Sequence, residues 1–314
     1  MIASSQEIHP EAIASHYDEL DRFYRDVWGE HVHHGLWVRG DETREQAVRH
    51  LVELVAREAR IAPGTRVCDI GCGYGATARM LAAESGAHVT AITISPAQHA
   101  FAREHSAGAA KTPSASHPER SEGGKVGVTQ SKDPVEATND TAENNPAYLL
   151  GDWLANDLPA ESFDAAIAIE SSEHMPDLAG FFAQAHRVLR PGARLVICAW
   201  LSADNPSPRG QRWLLEPICR EGRMPQMGTV ADYEQLARAA GFTSERFEDL
   251  TPQVAPTWPA IVRRFLARLA TRPSYLRFLL DRHARNRVFA LTIFRIMLAY
   301  RTGAMRYGVF TFLK

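Results

Sequence analysis

Three glycines spaced two apart, Gly71, Gly73 and Gly75, follow directly on the apolar run Val67-Cys68-Asp69-Ile70 and precede a segment with helical periodicity. No other stretch of the 314 residues constrains the fold as strongly. Glycine carries no Cβ and tolerates positive φ, so such a loop lets backbone approach a small ligand at the carboxyl end of a strand in a parallel sheet. The surrounding texture predicts that sheet. Apolar runs at Arg66–Asp69, His88–Ile92, Ala147–Leu150, Asp164–Ile169 and Arg194–Trp200 alternate with helical segments near Ala76–Ser85, Ala97–Glu104 and Gly180–Leu189. Apolar strands separated by helices are the mark of an α/β fold with right-handed crossovers. Pro191-Gly192 is predicted as the turn that stops the last of these helices before its strand.

The flanks add helices. Glu11–Trp28 and Asp41–Ala59 carry apolar residues at mixed three and four spacing, the second behind a Thr43-x-x-Gln46 capping signal. Residues 1–60 therefore read as a helical cap on a core formed by 61–314. Farther on, Asp232–Ala240 reads as a helix ended by Gly241, Thr243–Leu250 as a strand, Ile261–Tyr300 as helices broken at Pro273, and Tyr307–Leu313 as a terminal strand. This order puts a helical lid, residues 252–303, before the last strand. Ser106–Pro146 differs from everything around it: it lacks Phe, Trp, Tyr, Leu, Ile and Met. So little apolar surface cannot offset ordering entropy, and 106–146 is predicted to be a disordered insertion in the connection to the third strand.

Composition narrows the function classes. Hydrophobic residues at 45% and charged residues at 23% are ordinary for a globular protein, and a net charge of −2 gives no case for nucleic-acid binding. Cys68, Cys72, Cys198 and Cys219 are too few and too scattered for a disulfide scaffold, and no His/Cys set completes a metal site. The N-terminus has neither a basic n-region nor an apolar h-region, and no uncharged stretch approaches the ~20 residues that span a membrane, so a cytoplasmic location is expected. From Ile261 to Lys314, twelve Arg/Lys face a single acid, Asp281, with Phe, Leu and Ile between them. Basic amphipathic helices of this kind suit peripheral contact with anionic lipid through 261–314, contact with an apolar substrate, or a solvated face.

The identity of the ligand turns on where the acids stand. Gly71-Cys-Gly73-Tyr-Gly75-Ala76 nominally matches the dinucleotide fingerprint, but that fingerprint requires an acid at the end of the next strand, and Val89-Thr-Ala-Ile-Thr-Ile-Ser-Pro96 has none. The acid precedes the glycines instead, at Asp69. A carboxylate there repels a pyrophosphate and suits a ligand bearing an ammonium or sulfonium. Asp-x-Gly-x-Gly-x-Gly at a strand end resembles the class I methyltransferases, Rossmann-like doubly wound proteins that bind S-adenosyl-L-methionine. Gly151-Asp152-Trp153 follows the third strand, where those enzymes place an acid for the adenine amino group. The fourth strand ends in Glu170-Ser-Ser-Glu-His-Met-Pro176, at the sheet edge where ligands sit.

The chain resembles one family more closely, the tocopherol C-methyltransferases (gamma-tocopherol methyltransferase-like), with their related plant alkaloid N-methyltransferases. The resemblance rests on Tyr17-Asp-Glu, Trp28-Gly-Glu-His-Val-His-His-Gly35, Ile92-Thr-Ile-Ser-Pro-Ala-Gln98, Glu170-Ser-Ser-Glu-His-Met-Pro-Asp177, Val254-Ala-Pro-Thr-Trp-Pro259 and Met297-Leu-Ala-Tyr-Arg-Thr-Gly303. It implies that Asp69, Gly71, Gly73 and Gly75 surround the methionine part of the cofactor. Thr93, Ile94 and Gln98 would line its ribose and adenine, Asp152 and Trp153 its adenine edge, and Tyr17 would close over it. Glu170 joins the cofactor-binding candidates from its place at the strand end. His33, His34, Glu173 and His174 are the candidate catalytic groups at the pocket mouth, since a phenol is activated when a base takes its proton. The expected reaction is methyl transfer to a small apolar acceptor, a phenol or quinol methylated on carbon. The alternatives are N- or O-methylation of an amine or natural product, and a cofactor-binding module without catalysis.

Overall fold

The computed structural model describes residues 1–3, 8–109, 145–272, 275 and 289–314. The strands are β1 (Ile2–Ala3), β2 (Arg66–Ile70), β3 (His88–Thr93), β4 (Ala147–Leu150), β5 (Phe163–Ile169), β6 (Leu189–Ser202), β7 (Gln226–Met227), β8 (Thr243–Asp249) and β9 (Met305–Leu313). Seven of them form one sheet in the order β4-β3-β2-β5-β6-β9-β8, while β1 and β7 pair separately. Strands β4, β3, β2, β5 and β6 run parallel, and β9 lies antiparallel between β6 and β8. The chain winds from β2 through β3 to β4 in one direction, then returns to β5 on the other side of β2. Beyond the carboxyl ends of β2 and β5 the loops therefore diverge, which is where open α/β sheets hold ligands.

Helices cover both faces. The principal ones are α1 (Pro10–Val27), α2 (Arg44–Glu58), α3 (Ala76–Ser85), α4 (Pro96–Ala109), α5 (Leu178–Val188), α6 (Pro208–Gly210), which runs through a π-turn at Gln211–Leu215 into α7 (Glu216–Glu221), and α8 (Val230–Ala239). Then come α9 (Thr251–Val254), α10 (Thr257–Thr271) and α11 (Phe289–Arg301), all between β8 and β9. Period-two alternation sorts the strand residues onto the two faces. Val67, Ala165, Val196, Tyr307 and Val309 pack with residues of α2, α3 and α10 in one core. Cys68, Ala166, Ile197, Phe310 and Phe312 pack with α5 and α8 in the other.

Local signals set many of the boundaries. Thr43 Oγ1 accepts from Gln46 N and the Gln46 side chain returns the bond to Thr43 N, so α2 starts with the predicted capping box. One boundary differs from expectation. Helix α5 stops at Val188, and Pro191-Gly192 lie inside the span of β6, not in a turn before it. Against β5, Phe163 pairs with Leu189 and Ala165 with Arg194, so the extra residues form a bulge, with Gly192 at φ +80°. The predicted insertion 106–146 falls largely outside the described residues, as does the Pro273 break.

Candidate active site

At the carboxyl ends of β2, β3 and β5 a cleft opens to solvent. Its floor is the glycine loop. Gly71 sits at φ +80° and packs so closely on the loop after β5 that a Cβ would collide with Ser171. Gly73 (φ +54°) borders the cleft, and a side chain there would meet Gln98 Nε2. Gly75 does not line the cleft. It is the left-handed residue that starts α3, and a Cβ on it would strike the Tyr148 ring.

Asp69 is the penultimate residue of β2 and lines this cleft. It is 3% exposed, and its Oδ2 has no hydrogen-bond partner. Burial pushes its carboxyl up to about 7. An orphaned buried carboxylate oxygen costs free energy until a cationic donor reaches it, so the site fits a ligand bearing an ammonium group. The other side of the cleft suits a nucleoside. Thr93 Oγ1 donates to Gln98 Oε1 at 2.9 Å, which fixes both buried side chains, and Ile94 lies between them in sequence and lines the same wall. Asp152 and Trp153 close that end. Asp152 Oδ1 caps its own turn by accepting from Leu154 N at 2.9 Å, and the Trp153 indole donates to Phe181 O.

Glu170 follows directly on β5 with φ +53°, and it lines the cleft, but its oxygens are already engaged. Oε1 accepts from His34 N (2.7 Å), His34 Nδ1 (3.0 Å) and Tyr307 Oη (2.8 Å), and Oε2 from Trp200 Nε1 (2.8 Å). Burial works to raise this carboxyl, yet His34 and the other donors hold it down at about 2. Glu170 is thereby a framework anion, not a free ligand for a cofactor. His34 corrects a second expectation: it is fully enclosed, not at the pocket mouth. Trp200, Trp258, Tyr300 and Tyr307 surround its ring with centroids 4.9–5.9 Å away. The box joins two segments distant in sequence, since Thr257 Oγ1 also accepts from Gly35 N and Trp37 Nε1. Glu173 likewise lies behind the cleft wall. It accepts from Trp200 N at 2.6 Å, and burial raises its carboxyl to about 8.

Two of the four candidate catalytic groups, His33 and His174, do line the cleft. Their partners distinguish them. His33 donates Nδ1–H to His34 O at 2.8 Å, which leaves Nε2 to accept from His31 Nδ1 at 3.1 Å. Both ring nitrogens of His33 are therefore occupied. Burial drops His31 to about 2, so it stays neutral, and its place on the cleft wall went unrecognised in the sequence although it belongs to the Trp28–Gly35 element. His174 donates Nδ1–H to Arg223 O at 3.2 Å, and its Nε2 accepts from the Tyr17 hydroxyl at 2.9 Å. Burial lowers its pKa, so it is a neutral base, and the partner of its accepting nitrogen, Tyr17, also lines the cleft.

Helix α1 brings Tyr17 there because polar side chains along it reach several elements. Asp18 accepts from Ser95 Oγ at 2.6 Å at the start of α4, and Asp21 from Tyr74 Oη at 2.8 Å beside the glycine loop. Asp26 accepts from Arg272 and Tyr275 after α10. Asp18 escaped the sequence reading because its role depends on a contact 77 residues away.

The sequence profile of a family described as "Methyltransferase domain" matches residues 41–246. Among characterised proteins, a probable chloroplastic tocopherol O-methyltransferase of rice is 30% identical over 82% of this chain and 66% of its own length, so the chain spans about two thirds of that relative. The 27-O-demethylrifamycin SV methyltransferase of Amycolatopsis mediterranei is 30% identical over 82% of each chain. Among solved structures, a mycolic acid cyclopropane synthase in complex with SAH and CTAB superposes with a TM-score of 0.75 at 20% identity, covering 99% of this chain and all of its own.

Proposed function

The chain belongs to the methyltransferase-domain family and takes S-adenosylmethionine as its cofactor, and from that premise we propose that it methylates a small apolar phenol or quinol on carbon. When bound, the cofactor supplies an electrophilic methyl group on a sulfonium. Asp69 would hold its cationic amino-acid end, against backbone that Gly71 and Gly73 bring close. Thr93, Ile94 and Gln98 would meet the ribose and adenine, and Asp152 with Trp153 the adenine edge. Tyr17 would cover the cofactor from α1.

For in-line methyl transfer, the protein's task is to position the acceptor, exclude water and move a proton. The observation that carries the acceptor assignment is the Tyr17–His174 pair in the wall of a cleft whose nearby lining includes Pro10, Ile13, Val32 and Met175. The apolar residues suit a hydrophobic acceptor. Tyr17 Oη accepts the acceptor's phenolic proton while passing its own to His174 Nε2, and electron density moves onto the phenol oxygen and ortho carbon. Once methylated, the ortho carbon releases its ring proton to water while the proton on His174 returns through Tyr17 to the phenol oxygen, which restores the aromatic ring. The Arg223 carbonyl fixes the His174 tautomer and stabilises the imidazolium that results. The tocopherol relative, named as an O-methyltransferase, supports a phenol as the acceptor class.

A second reading, O-methylation of a natural-product hydroxyl, is favoured by the rifamycin relative, which shares the same identity with better coverage. It uses the same pair as a base. An amine acceptor needs no base. The test is transfer of a labelled methyl group across prenylated hydroquinones, simple phenols, hydroxylated macrocycles and amines, with the product's methylated atom assigned by NMR. Carbon methylation of a hydroquinone is expected; turnover confined to amines, with no effect of Tyr17→Phe, would sink the proposal.

A further inference from the structure

The basic C-terminal region divides sharply once its partners are known. Arg264 pairs with Glu45, Arg272 with Asp26, Arg295 with Glu221 and Arg306 with Asp249. These four are internal fasteners. Arg301 is exposed and has no ion pair among the described residues. On α11 it extends a stripe that begins with Phe294 (60% exposed) and Leu298 (48% exposed), spaced as one helix face, while Ile293, Ile296 and Tyr300 turn inward. Across a shallow groove stands the α6–π-turn segment, where Leu214 and Leu215 pack inward and Trp213 is 65% exposed. Arg209 and Arg212 are exposed beside it, the Arg212 guanidinium over the indole at 5.5 Å, and neither has an ion pair among the described residues. Trp213, Leu298 and Arg209 line the groove together.

We propose that this face, Trp213, Phe294 and Leu298 with Arg209, Arg212 and Arg301, docks on the surface of an anionic phospholipid bilayer. Three large apolar side chains gathered on one exposed face mark an interaction site. Indole and phenyl rings sit favourably at the membrane–water boundary, and unpaired guanidinium groups around them complement lipid phosphates. The attachment is peripheral: among the described residues no helix is long and apolar enough to cross a membrane. The docking helix also contributes to the aromatic box behind the cleft, since Tyr300 on its inner face lies 3.3 Å from His34 Nε2. The proposal does not depend on which acceptor is methylated, because vesicle binding is measured without cofactor or acceptor.

The experiment is co-sedimentation of the full chain with vesicles of phosphatidylcholine alone or with about one third phosphatidylglycerol, at low and high salt. Binding to the anionic vesicles, weakened by salt, is expected. At about fivefold per arginine, R209Q/R212Q/R301Q should lose ~100-fold in partitioning, and W213S/L298S should lose binding to the same vesicles while both variants keep the wild-type melting temperature and cofactor affinity. R238Q, an exposed arginine on α8, should change binding little. Absence of wild-type binding to anionic vesicles, or equal binding by both patch variants, overturns the proposal. So does light scattering that shows a dimer which the patch variants dissociate, since the face would then meet a second copy.

Discussion

Asp69 and Glu170 stand at the carboxyl ends of neighbouring parallel strands, border the same cleft and have nearly enclosed side chains, yet their electrostatic states are opposite. Glu170 receives four donors and is held at about 2. Asp69 has an oxygen with no donor and rises to about 7. The difference teaches that burial alone does not mark a ligand site. A buried acid whose partners all come from the protein is framework, and one with an unmet oxygen facing a cavity is a receptor for a cation.

The framework side should be the more costly to disturb. Glu170→Gln removes a charge that His34, Trp200 and Tyr307 require, and should cost roughly 3–5 kcal/mol of folding stability in a urea titration. Unchanged stability would mean that the four hydrogen bonds do not form in solution. Next, Asp69→Asn should weaken cofactor binding about 100-fold or more by calorimetry, roughly 3 kcal/mol, and an unchanged affinity would remove Asp69 from the site. The same substitution should stabilise the unliganded protein. The folded-state pKa of Asp69 lies above its unfolded value near 3.8, so its stabilising contribution is complete below about 4 and is lost as pH rises through about 7. At pH 8 Asp69→Asn should therefore raise the melting temperature of the ligand-free protein, while leaving it little changed near pH 4. Binding runs the other way with pH. A cationic ligand needs the carboxylate, so wild-type affinity should fall up to about tenfold per unit as pH drops below 7, and a flat profile would contradict the assignment. The smallest effect belongs to Tyr17→Phe. It should lower kcat for a phenol about 100-fold, ~2.7 kcal/mol, with cofactor affinity nearly unchanged.

The strands and the glycine loop were legible because they depend on local signals: period-two burial, a capping box at Thr43, glycines where φ is positive. The bulge at Pro191-Gly192 was not, because Pro-Gly reads as a turn whether it ends a helix or interrupts a strand. The α6–α7 segment escaped since Pro206, Pro208 and Pro217 mask its periodicity, and β1–β7 since two-residue strands have none. At the site, the motifs named the right neighbourhood but not the division of labour within it. His33 and His34 are adjacent in sequence, yet one borders the cleft and the other is sealed by Trp200, Trp258, Tyr300 and Tyr307. Those four residues lie 166 to 273 positions farther along the chain, and no local pattern reports which ring nitrogen they leave free.

The place of β9 in the sheet carries a consequence for the protein's biosynthesis. It pairs with β6 on one side and β8 on the other, so β8 has no neighbour in the sheet until residues 305–313 have left the ribosome. Tyr307, which completes the donor set of Glu170, arrives with them. Until then the nascent chain carries an unpaired edge on β6 and a buried carboxylate without its full set of donors. Closure of the sheet and assembly of the aromatic box should therefore be joint events that wait for β9, and the chain is most prone to aggregate before residues 305–313 emerge.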